Sequence, residues 1–273
     1  MLKLFGARKL TWNGLVCDEK GSVSPRQECV YDRHCIGKGA RGVIHRGKYY
    51  IHYLMKDVTL DVAVKETSRT SNNYELENLV ELKEEEEIIH LFNYTETLGK
   101  QLYIVELCKG GDLLDYVMAR PLSVENALHV IHWLLQAVNK CHQHGIIHTD
   151  IKLENIGLVN ENSLAALRLL DFGNSKRVSD APFKARQLRG SPHYLAPELS
   201  TRIIFTEPSE LYALDMWCVG IVAYALLERR FYTADILTFT ECKDSFAQTL
   251  VQHLLCSVRK RWSAREGVNY FAL

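Results

Sequence analysis

The stretch His148-Thr149-Asp150-Ile151-Lys152-Leu153-Glu154-Asn155 decides the fold of this chain, together with Asp171-Phe172-Gly173 further along. The two strings combine a carboxylate that can orient a hydroxyl group with a lysine that can neutralise a phosphate. They also contain an amide and a second carboxylate, which are the hard oxygen donors that magnesium prefers. These side chains are what the transfer of a phosphoryl group from ATP requires.

Composition limits the classes of protein to which the chain can belong. Its 273 residues include 33 basic and 33 acidic side chains, so the formal net charge is zero. This balance argues against direct nucleic-acid binding by the chain as a whole. The eight cysteines form no CxxC pair and predict reduced thiols in a cytoplasmic or nuclear compartment.

The sequence predicts no membrane anchor. The first residues are unlike a signal peptide, because Lys3 and Arg8 interrupt a short segment. The longest apolar run, from Trp217 to Leu227, is too short to span a bilayer and predicts a buried helix. We therefore expect no membrane partner.

Changes of pattern divide the chain into three segments. Residues 1–28 mix Gly, Ser, Pro and charged side chains with weak periodicity and predict an N-terminal extension. Residues 29–107 predict a mostly β unit with one helix, and residues 108–273 predict a mainly helical unit.

Local patterns place several elements within these segments. Apolar runs at 62–64 and 102–105 predict strands, whereas Leu76, Leu79 and Leu82 recur at helical spacing. Ser123 is expected to cap a long helix. The apolar face of that helix would contain Ala127, Val130, Ile131, Leu134, Leu135 and Val138. The acidic run 84–87 predicts a solvated helix end.

Gly37, Gly39 and Gly42 form a GxGxxG pattern. The pattern alone is weak, since it also opens dinucleotide-binding turns and plain hairpins. A dinucleotide fold would have a helix directly after the glycines, whereas residues 48–53 have a strand-like character. We therefore predict a β-hairpin whose backbone amides can approach phosphates, because glycine has no Cβ.

Lys65 ends the apolar run Val62-Ala63-Val64 and follows the glycine loop, so it is predicted to bind the α and β phosphates. Such a lysine needs a carboxylate partner. Glu75 is the candidate, because Leu76 and Leu79 place an apolar face beside it. The other two acids of this helix that we considered, Glu77 and Glu81, lack that pattern.

The order of these motifs resembles the eukaryotic protein kinase superfamily. Lys65, the string around Asp150, Asp171-Phe172-Gly173 and Ala196-Pro197-Glu198 occur in the family's order and approximate spacing. The resemblance covers residues 30–270. It implies a two-lobe α+β fold, with a five-stranded antiparallel small lobe that has one main helix and with a mainly helical large lobe.

The resemblance also implies the catalytic roles. Asp150 would orient the substrate hydroxyl and accept its proton late, and Lys152 would neutralise the γ-phosphate. Asn155 would act with them and, with Asp171, would bind Mg²⁺, or Mn²⁺ in its place. His148 would support the loop rather than act as an acid or base.

For the nucleotide, the family's motifs imply a binding set from both segments. Asp112 would meet the ribose, although it is equally suited to capping a helix. Backbone groups near Glu106 and Cys108 would read the adenine edge. The full set is Ile36, Gly37, Gly39, Gly42, Ile44, Ala63, Lys65, Glu75, Glu106, Cys108 and Asp112.

Four further positions have structural roles by resemblance. Glu198 would pair with an arginine near the end of the chain, for which Arg261 is the candidate. Asp215 and Trp217 match the buried helix that supports the catalytic loop.

The substrate class also follows from the resemblance. Lys152 and Ser191 resemble the serine/threonine branch, since tyrosine kinases usually have an Ala or Arg pattern after the catalytic Asp. Glu154 and Asp112 stand where related kinases contact basic side chains of the peptide. We expect protein substrates with basic residues flanking the Ser or Thr, such as DNA-packaging proteins. The alternative is that both acids are merely solvated and give no selectivity.

The chain departs from the family pattern in several places. Thr149 replaces the arginine that normally pairs with a phosphate, which predicts that activity does not require phosphorylation between Gly173 and Ala196. Gly157 replaces a leucine beneath the adenine, which predicts a thinner pocket floor and lower nucleotide affinity. The spacing around Lys65 predicts a long hairpin before it and a clipped helix after it.

This compact form resembles the small kinases that large insect DNA viruses of the baculovirus type encode.

Two other functions stay open. A pseudokinase usually loses the equivalents of Lys65, Asp150 or Asp171, and all three are present. A small-molecule kinase of the aminoglycoside or choline type generally lacks the Ala196-Pro197-Glu198 segment. Residues 1–28 could pack on the small lobe or join a homodimer.

Overall fold

The chain divides into two compact units. A computed structural model describes residues 8–12, 26–39, 42–52, 56–68, 74–97, 99–188, 190–202, 204–232 and 237–272. The first unit comprises residues 1–72 and 90–107, and the second comprises residues 73–89 and 108–273. The helix predicted within residues 29–107 therefore groups with the second unit rather than the first.

The first unit is built on one antiparallel sheet. Its strands are β1 (Arg8–Trp12), β2 (Arg26–Gly39), β3 (Gly42–His52), β4 (Asp57–Ser68), β5 (Leu91–Thr97) and β6 (Lys100–Glu106). Their spatial order is β1-β2-β3-β4-β6-β5. The predicted strands at 62–64 and 102–105 are confirmed within β4 and β6, whose buried Val62, Val64, Leu102 and Ile104 belong to the core of this unit. The expected long hairpin is formed by β3 and β4.

The sheet has six strands instead of the five expected, because part of the predicted extension is a strand. Leu10 of β1 pairs with Cys29 of β2 and packs on the apolar cluster of this unit. Arg8 also contributes, since its Nη1 lies 2.6 Å from Glu66 Oε2. A strand of only five residues is too short for weak periodicity to reveal. Residues 1–7 and 13–25 of the extension lie outside the described residues.

The second unit consists mainly of helices, with short strands between them. The helices are α1 (Tyr74–Glu81), α2 (Leu113–Ala119), α3 (Val124–Gln143), α4 (Glu198–Thr201), α5 (Pro208–Glu228), α6 (Ser245–Leu254) and α7 (Ala264–Tyr270). The strands are β7 (Ile146–Ile147), β8 (Ile156–Leu158), β9 (Leu167–Leu169), β10 (Lys176–Arg177), β11 (Phe183–Lys184) and β12 (Ile204–Phe205). They pair as β7 with β10, β8 with β9 and β11 with β12.

Helix α3 confirms the prediction made from its periodicity. Ser123 is its N-cap and accepts a hydrogen bond of 3.2 Å from the backbone N of Asn126. The predicted apolar face is buried: Ala127, Val130, Ile131, Leu134, Leu135 and Val138.

The acidic run 84–87 does not end a helix, because α1 stops at Glu81. One of its acids is paired instead of simply solvated, since Glu85 Oε2 lies 2.8 Å from Lys140 Nζ on α3. With eight residues, α1 is the clipped helix that the spacing predicted.

Helix α5 forms the centre of the second unit. By length and composition it could cross a membrane, and it is the one helix of the described residues that passes this test. However, 78% of its most apolar window is buried inside the protein. A helix that is apolar on all sides is typical of a protein core, which agrees with the buried helix predicted from Trp217 to Leu227.

The predicted pair between Glu198 and Arg261 is present in the second unit. Arg261 Nη1 lies 2.6 Å from Glu198 Oε1, and the arginine side chain is fully buried. Its guanidinium also donates to the carbonyl of Ala213 on α5 at 2.6 Å. The ring of Trp217 stacks near it at 4.9 Å. The pair therefore attaches α4 and the chain before α7 to the central helix.

Removing one partner of this pair should destabilise the second unit strongly. We expect Arg261→Met to lower the free energy of unfolding by about 3–5 kcal/mol, because Glu198 would be left without its buried cation. Chemical denaturation measures the loss. The matched control is Arg202→Met: because Arg202 is half-exposed, loss of its pair with Glu210 should cost at most about 1 kcal/mol. Equal losses in the two variants would contradict this account of the pair.

Candidate functional site

The glycine loop is a hairpin, as predicted. Strand β2 pairs antiparallel with β3, with Gly37 opposite Ile44 and Gly39 opposite Gly42. Gly42 has φ +157°, and a Cβ there would lie 2.2 Å from the backbone O of Glu66. Only glycine fits this position, because both the backbone angle and the space exclude a side chain. A strand follows the glycines, so the dinucleotide-binding alternative does not apply.

Lys65 lies on β4, which is inside the sheet of the first unit. It pairs with Ile44 on one side and with Tyr103 on the other, and its Nζ lies 6.0 Å from the centre of the Tyr103 ring. The adjacent Ala63 is buried. Ile36 is largely exposed, and Ile44 is half-buried. The backbone N of Glu106 donates to His90 O at 2.9 Å.

In the second unit, α1 presents its three acids differently. Glu75 is half-buried, whereas Glu77 and Glu81 are exposed. This burial agrees with the choice of Glu75 from its apolar neighbours. Its pairing with Lys65 stays a prediction.

One buried carboxylate holds the start of residues 148–155, which we call the catalytic loop. Asp215 on α5 accepts hydrogen bonds from the backbone N of His148 and from that of Thr149, both at 2.8 Å. His142 of α3 approaches the same carboxylate at 3.0 Å. Thr149 has φ +64°, an unusual angle for a β-branched residue. The contacts from Asp215 therefore fix the backbone directly before Asp150.

Asp150 and Lys152 meet at Ser191. The Ser191 hydroxyl and the Ser191 backbone N both donate to Asp150 Oδ1 at 2.9 Å. Lys152 Nζ donates to the same hydroxyl at 2.8 Å and lies 3.7 Å from Asp150 Oδ2. Ser191 thus joins Asp150 and Lys152 in one polar cluster, although it follows Asp150 by 41 residues in the sequence.

Asn155 and Asp171 are connected through the backbone. Asn155 Nδ2 donates to the Asp150 carbonyl at 2.8 Å, and its own carbonyl accepts from Leu170 N at 2.9 Å. The His148 ring contacts Leu170 O at 2.9 Å and accepts from Asp150 N at 3.3 Å. Asp171 follows Leu170 directly, in a left-handed conformation with φ +58°. The supporting role predicted for His148 matches these contacts.

The donors predicted for a metal suit magnesium chemically. Asn155 and Asp171 offer an amide oxygen and a carboxylate. Mg²⁺ commonly binds through one or two such groups together with waters and phosphates, because it keeps part of its hydration shell. Across the described residues, no cluster of three or more His, Cys, Asp or Glu could form a separate protein cage for a metal.

Gly157 has a steric explanation. A Cβ at this position would lie 2.6 Å from Cys108 Sγ and 3.0 Å from Leu170 Cδ1. The half-buried side chain of Cys108 therefore occupies space that a residue larger than glycine would need. The thinner pocket floor and the lower nucleotide affinity expected from Gly157 stay predictions.

Asp112 is a helix cap, one of the two roles considered. Its Oδ1 accepts from the backbone N of Asp115 at 2.9 Å and caps α2. Burial raises the pKa of Asp112, and the negative charges of Asp115 and Glu154 raise it further, while the bond from Asp115 N lowers it. The three acids therefore form an electronegative group whose members repel one another.

Sequence reasoning missed the role of Tyr194. This buried residue donates from its hydroxyl to Glu154 Oε2 at 3.3 Å and accepts from Leu153 N at 3.4 Å. Burial and the nearby Glu154 raise its pKa well above the usual range. The sequence signal is Tyr194 in Gly190-Ser191-Pro192-His193-Tyr194, an aromatic residue directly before Leu195-Ala196-Pro197-Glu198.

Comparisons with known proteins agree with this arrangement. The chain is 30% identical over 196 residues to CDPK-related kinase 1 of Arabidopsis thaliana, covering 71% of this chain and 32% of that protein. It is 30% identical over 201 residues to calcium-dependent protein kinase 14 of the same plant, covering 70% and 36% respectively. Calcium-dependent protein kinase 3 of Oryza sativa subsp. japonica is 35% identical over 141 residues, covering 51% and 24%.

The chain spans about a third of the length of the first two relatives. The family model described as protein kinase domain matches residues 31–269, which is most of the chain. The α+β fold class predicted from the motifs is confirmed, and so is the superfamily. This chain belongs to the protein kinase domain family.

Proposed function

We propose that this protein is a serine/threonine protein kinase that transfers the γ-phosphoryl group of ATP to Ser or Thr side chains of proteins. The observation that carries the proposal is the cluster of Asp150, Lys152 and Ser191. In this cluster the hydroxyl of Ser191 lies within hydrogen-bond distance of both the Asp150 carboxylate and the Lys152 ammonium group. Two of the relatives named above are calcium-dependent protein kinases, which supports a protein kinase function.

The cluster divides the two oxygens of Asp150 between two tasks. Oδ1 is occupied by Ser191, which fixes the plane of the carboxylate. Oδ2 is then the oxygen that orients the incoming hydroxyl and receives its proton as the O–P bond forms. Lys152 lies beside both groups and offsets negative charge that develops on the transferred phosphoryl group.

Asn155 and Asp171 would hold magnesium, or manganese, with the phosphates of ATP. The bound metal would neutralise phosphate charge and align the triphosphate. The chain itself sets the position of these donors, because Asn155 bonds to the Asp150 carbonyl and Leu170 N bonds to Asn155 O. Asn155 therefore stands on the same loop as the proposed base, and its hydrogen bond with Leu170 N connects this loop to the residue directly before Asp171.

Two rival functions are weaker. A pseudokinase would lack a member of the set Lys65, Asp150 and Asp171, and the chain retains all three. A small-molecule kinase would not need the segment from Ser191 to Glu198, in which Tyr194 contacts the catalytic loop and Glu198 is anchored by Arg261.

Replacing the proposed base separates the three functions. Asp150→Asn should lower phosphoryl transfer to a basic protein by at least about 10²-fold, because the amide cannot accept the proton. Transfer of label from radiolabelled ATP is measured with a basic protein and, in parallel, with choline. Asn keeps the acceptor for Ser191, so the melting temperature should change little. The proposal would be overturned if choline became labelled and the basic protein did not. It would also be overturned if wild type and Asp150→Asn labelled the basic protein at equal rates.

The rate of transfer should depend on the hydroxyl group of Ser191 more than on the size of its side chain. Ser191→Ala should lower kcat about 10–10²-fold, because Asp150 and Lys152 lose their shared partner and the reacting geometry loosens. Ser191→Thr keeps the hydroxyl and should retain most of the activity. Steady-state kinetics with one peptide substrate compares the variants. If the alanine variant matches wild type, the cluster has no part in transfer.

We also propose that the substrates carry basic residues beside the Ser or Thr. The support is the acidic group of Asp112, Asp115 and Glu154: burial raises the pKa of Asp112, and repulsion from the other two carboxylates raises it further. A cationic side chain of a substrate would relieve that repulsion. DNA-packaging proteins are substrates of this chemical type, and the resemblance to insect-virus kinases suggests them.

Neutralising these acids should weaken binding of basic peptides selectively. Asp112→Asn and Glu154→Gln should each raise KM for an Arg-flanked peptide about 3–10-fold, since a partly exposed charge pair is worth about 1 kcal/mol. Both amides keep the hydrogen-bond acceptors used by Asp115 N and Tyr194. KM for a peptide with neutral flanks should stay constant, and the exposed Glu161→Gln serves as the control. Equal changes for both peptides would contradict the selectivity.

The cellular location is also a proposal. Cytoplasm or nucleus is supported by the cysteines, since the seven within the described residues are all free thiols. A viral chain would act in those compartments of the host cell. Fractionation of cells that express the full chain tests this.

A further inference from the structure

Helix α1 contains a buried polar side chain that the catalytic roles do not explain. Asn78 is 0% exposed, and its neighbour Leu79 on the same helix is buried and apolar. A buried amide costs free energy unless both its ends are hydrogen-bonded. An apolar residue of similar volume would fill the site at no such cost. The presence of asparagine therefore indicates a role that depends on hydrogen bonds to particular partners.

Both ends of the Asn78 amide bind the segment that follows Asp171. Asn78 Nδ2 donates to Ser175 Oγ at 2.8 Å, and Asn78 Oδ1 accepts from Arg177 Nε at 3.0 Å. Ser175 is 0% exposed and donates in turn to Phe172 O at 2.5 Å. We call these residues, Asn78, Ser175 and Arg177, the Asn78 cluster. Every member is satisfied, which is the condition under which a buried network specifies one arrangement.

The same segment is attached on its other side to the catalytic loop. Strand β10 pairs with β7, with Arg177 opposite Ile146, and β7 leads directly into His148. Val178 N donates to Gly145 O at 2.9 Å. Thr149 Oγ1 donates to Asn174 O at 3.1 Å. The residues after Asp171 are therefore held both by α1 and by the chain around Asp150.

We propose that the Asn78 cluster is a positioning device that holds the segment after Asp171 in its catalytic conformation without a phosphate. The inference rests on the proposed kinase function and deepens it. Thr149 has no charge with which to bind a phosphate on this segment. Arg177 meets a permanent neutral partner, Asn78, and also donates to Glu77 O at 3.3 Å. Asn78 and Ser175 are buried, so they act through the backbone that carries Asp171.

The test is Asn78→Leu in the full chain. Leucine keeps the branched shape and the number of side-chain heavy atoms and removes both hydrogen bonds. Ser175 retains its acceptor on Phe172, and Arg177 keeps the exposed Glu81 4.0 Å away. We expect kcat to fall about tenfold or more because Asp171 loses its fixed position. Hydrogen exchange of backbone amides in residues 174–188 should become faster.

Asn78→Asp is the conservative partner variant. It keeps the acceptor for Arg177 and loses only the donor to Ser175, so it should recover most of kcat. The control is Ser263→Ala, which removes the N-cap of α7 in the same unit and should lower the melting temperature without changing kcat or exchange in residues 174–188. A structural effect alone would give Asn78→Leu and Ser263→Ala the same kcat at equal fractions folded.

A double-mutant cycle identifies the cluster as one unit. Arg177→Met should lower kcat in the wild-type background and have little further effect in Asn78→Leu. Treatment of the wild-type protein with a phosphatase should leave kcat unchanged. Additive losses, wild-type kcat in Asn78→Leu, or loss of activity after dephosphorylation would each overturn the inference.

The outcome is distinguishable from failure of the proposed function. If the wild-type chain transfers no phosphoryl group, the kinase proposal fails, and hydrogen exchange still reports the cluster. Faster exchange in Asn78→Leu and not in Ser263→Ala supports the positioning contacts, and unchanged exchange in both contradicts them.

Discussion

The second unit depends on the buried carboxylate of Asp215. A charge with no exposure to water is tolerated only when it is hydrogen-bonded, and here the partners are two backbone amides of the catalytic loop and His142. The central helix α5 thereby dictates the path of residues 148 and 149. Because the loop is anchored to the core of the unit, Asp150 and its neighbours stand at defined positions before any substrate arrives.

Pre-organisation of this kind explains why the site combines unusual backbone with full hydrogen bonding. Thr149 and Asp171 both adopt positive φ, which costs free energy for residues other than glycine. The surrounding contacts compensate, since Thr149 bonds to Asn174 and Asp171 accepts from Gly173 N at 3.3 Å. If the proposed function holds, the strained backbone at Thr149 and Asp171 would place the proposed base Asp150 and the proposed metal ligand Asp171 without reorganisation during the reaction.

Much of the fold and the site followed from the sequence because the relevant signals are local or fixed in order. Helix α3 has both its periodicity and its Ser123 cap, and the pair of Glu198 with Arg261 follows from motif position. Strand β1 was not predicted, because its five residues become a strand only by pairing with residues further along the chain. The contact of Cys108 with the space beside Gly157 and the hydrogen bond between Asn78 and Ser175 were not predicted either, because both join residues that are distant in sequence.

The most direct test of the account is kcat of Asp215→Asn in the intact chain. The amide keeps the shape but offers only one acceptor oxygen to the two loop amides, so Asp150 should lose its fixed orientation. The account predicts a fall in kcat of about 10²-fold in protein that still shows a cooperative melting transition. A folded Asp215→Asn protein with wild-type kcat would contradict the central claim that this carboxylate organises the catalytic loop.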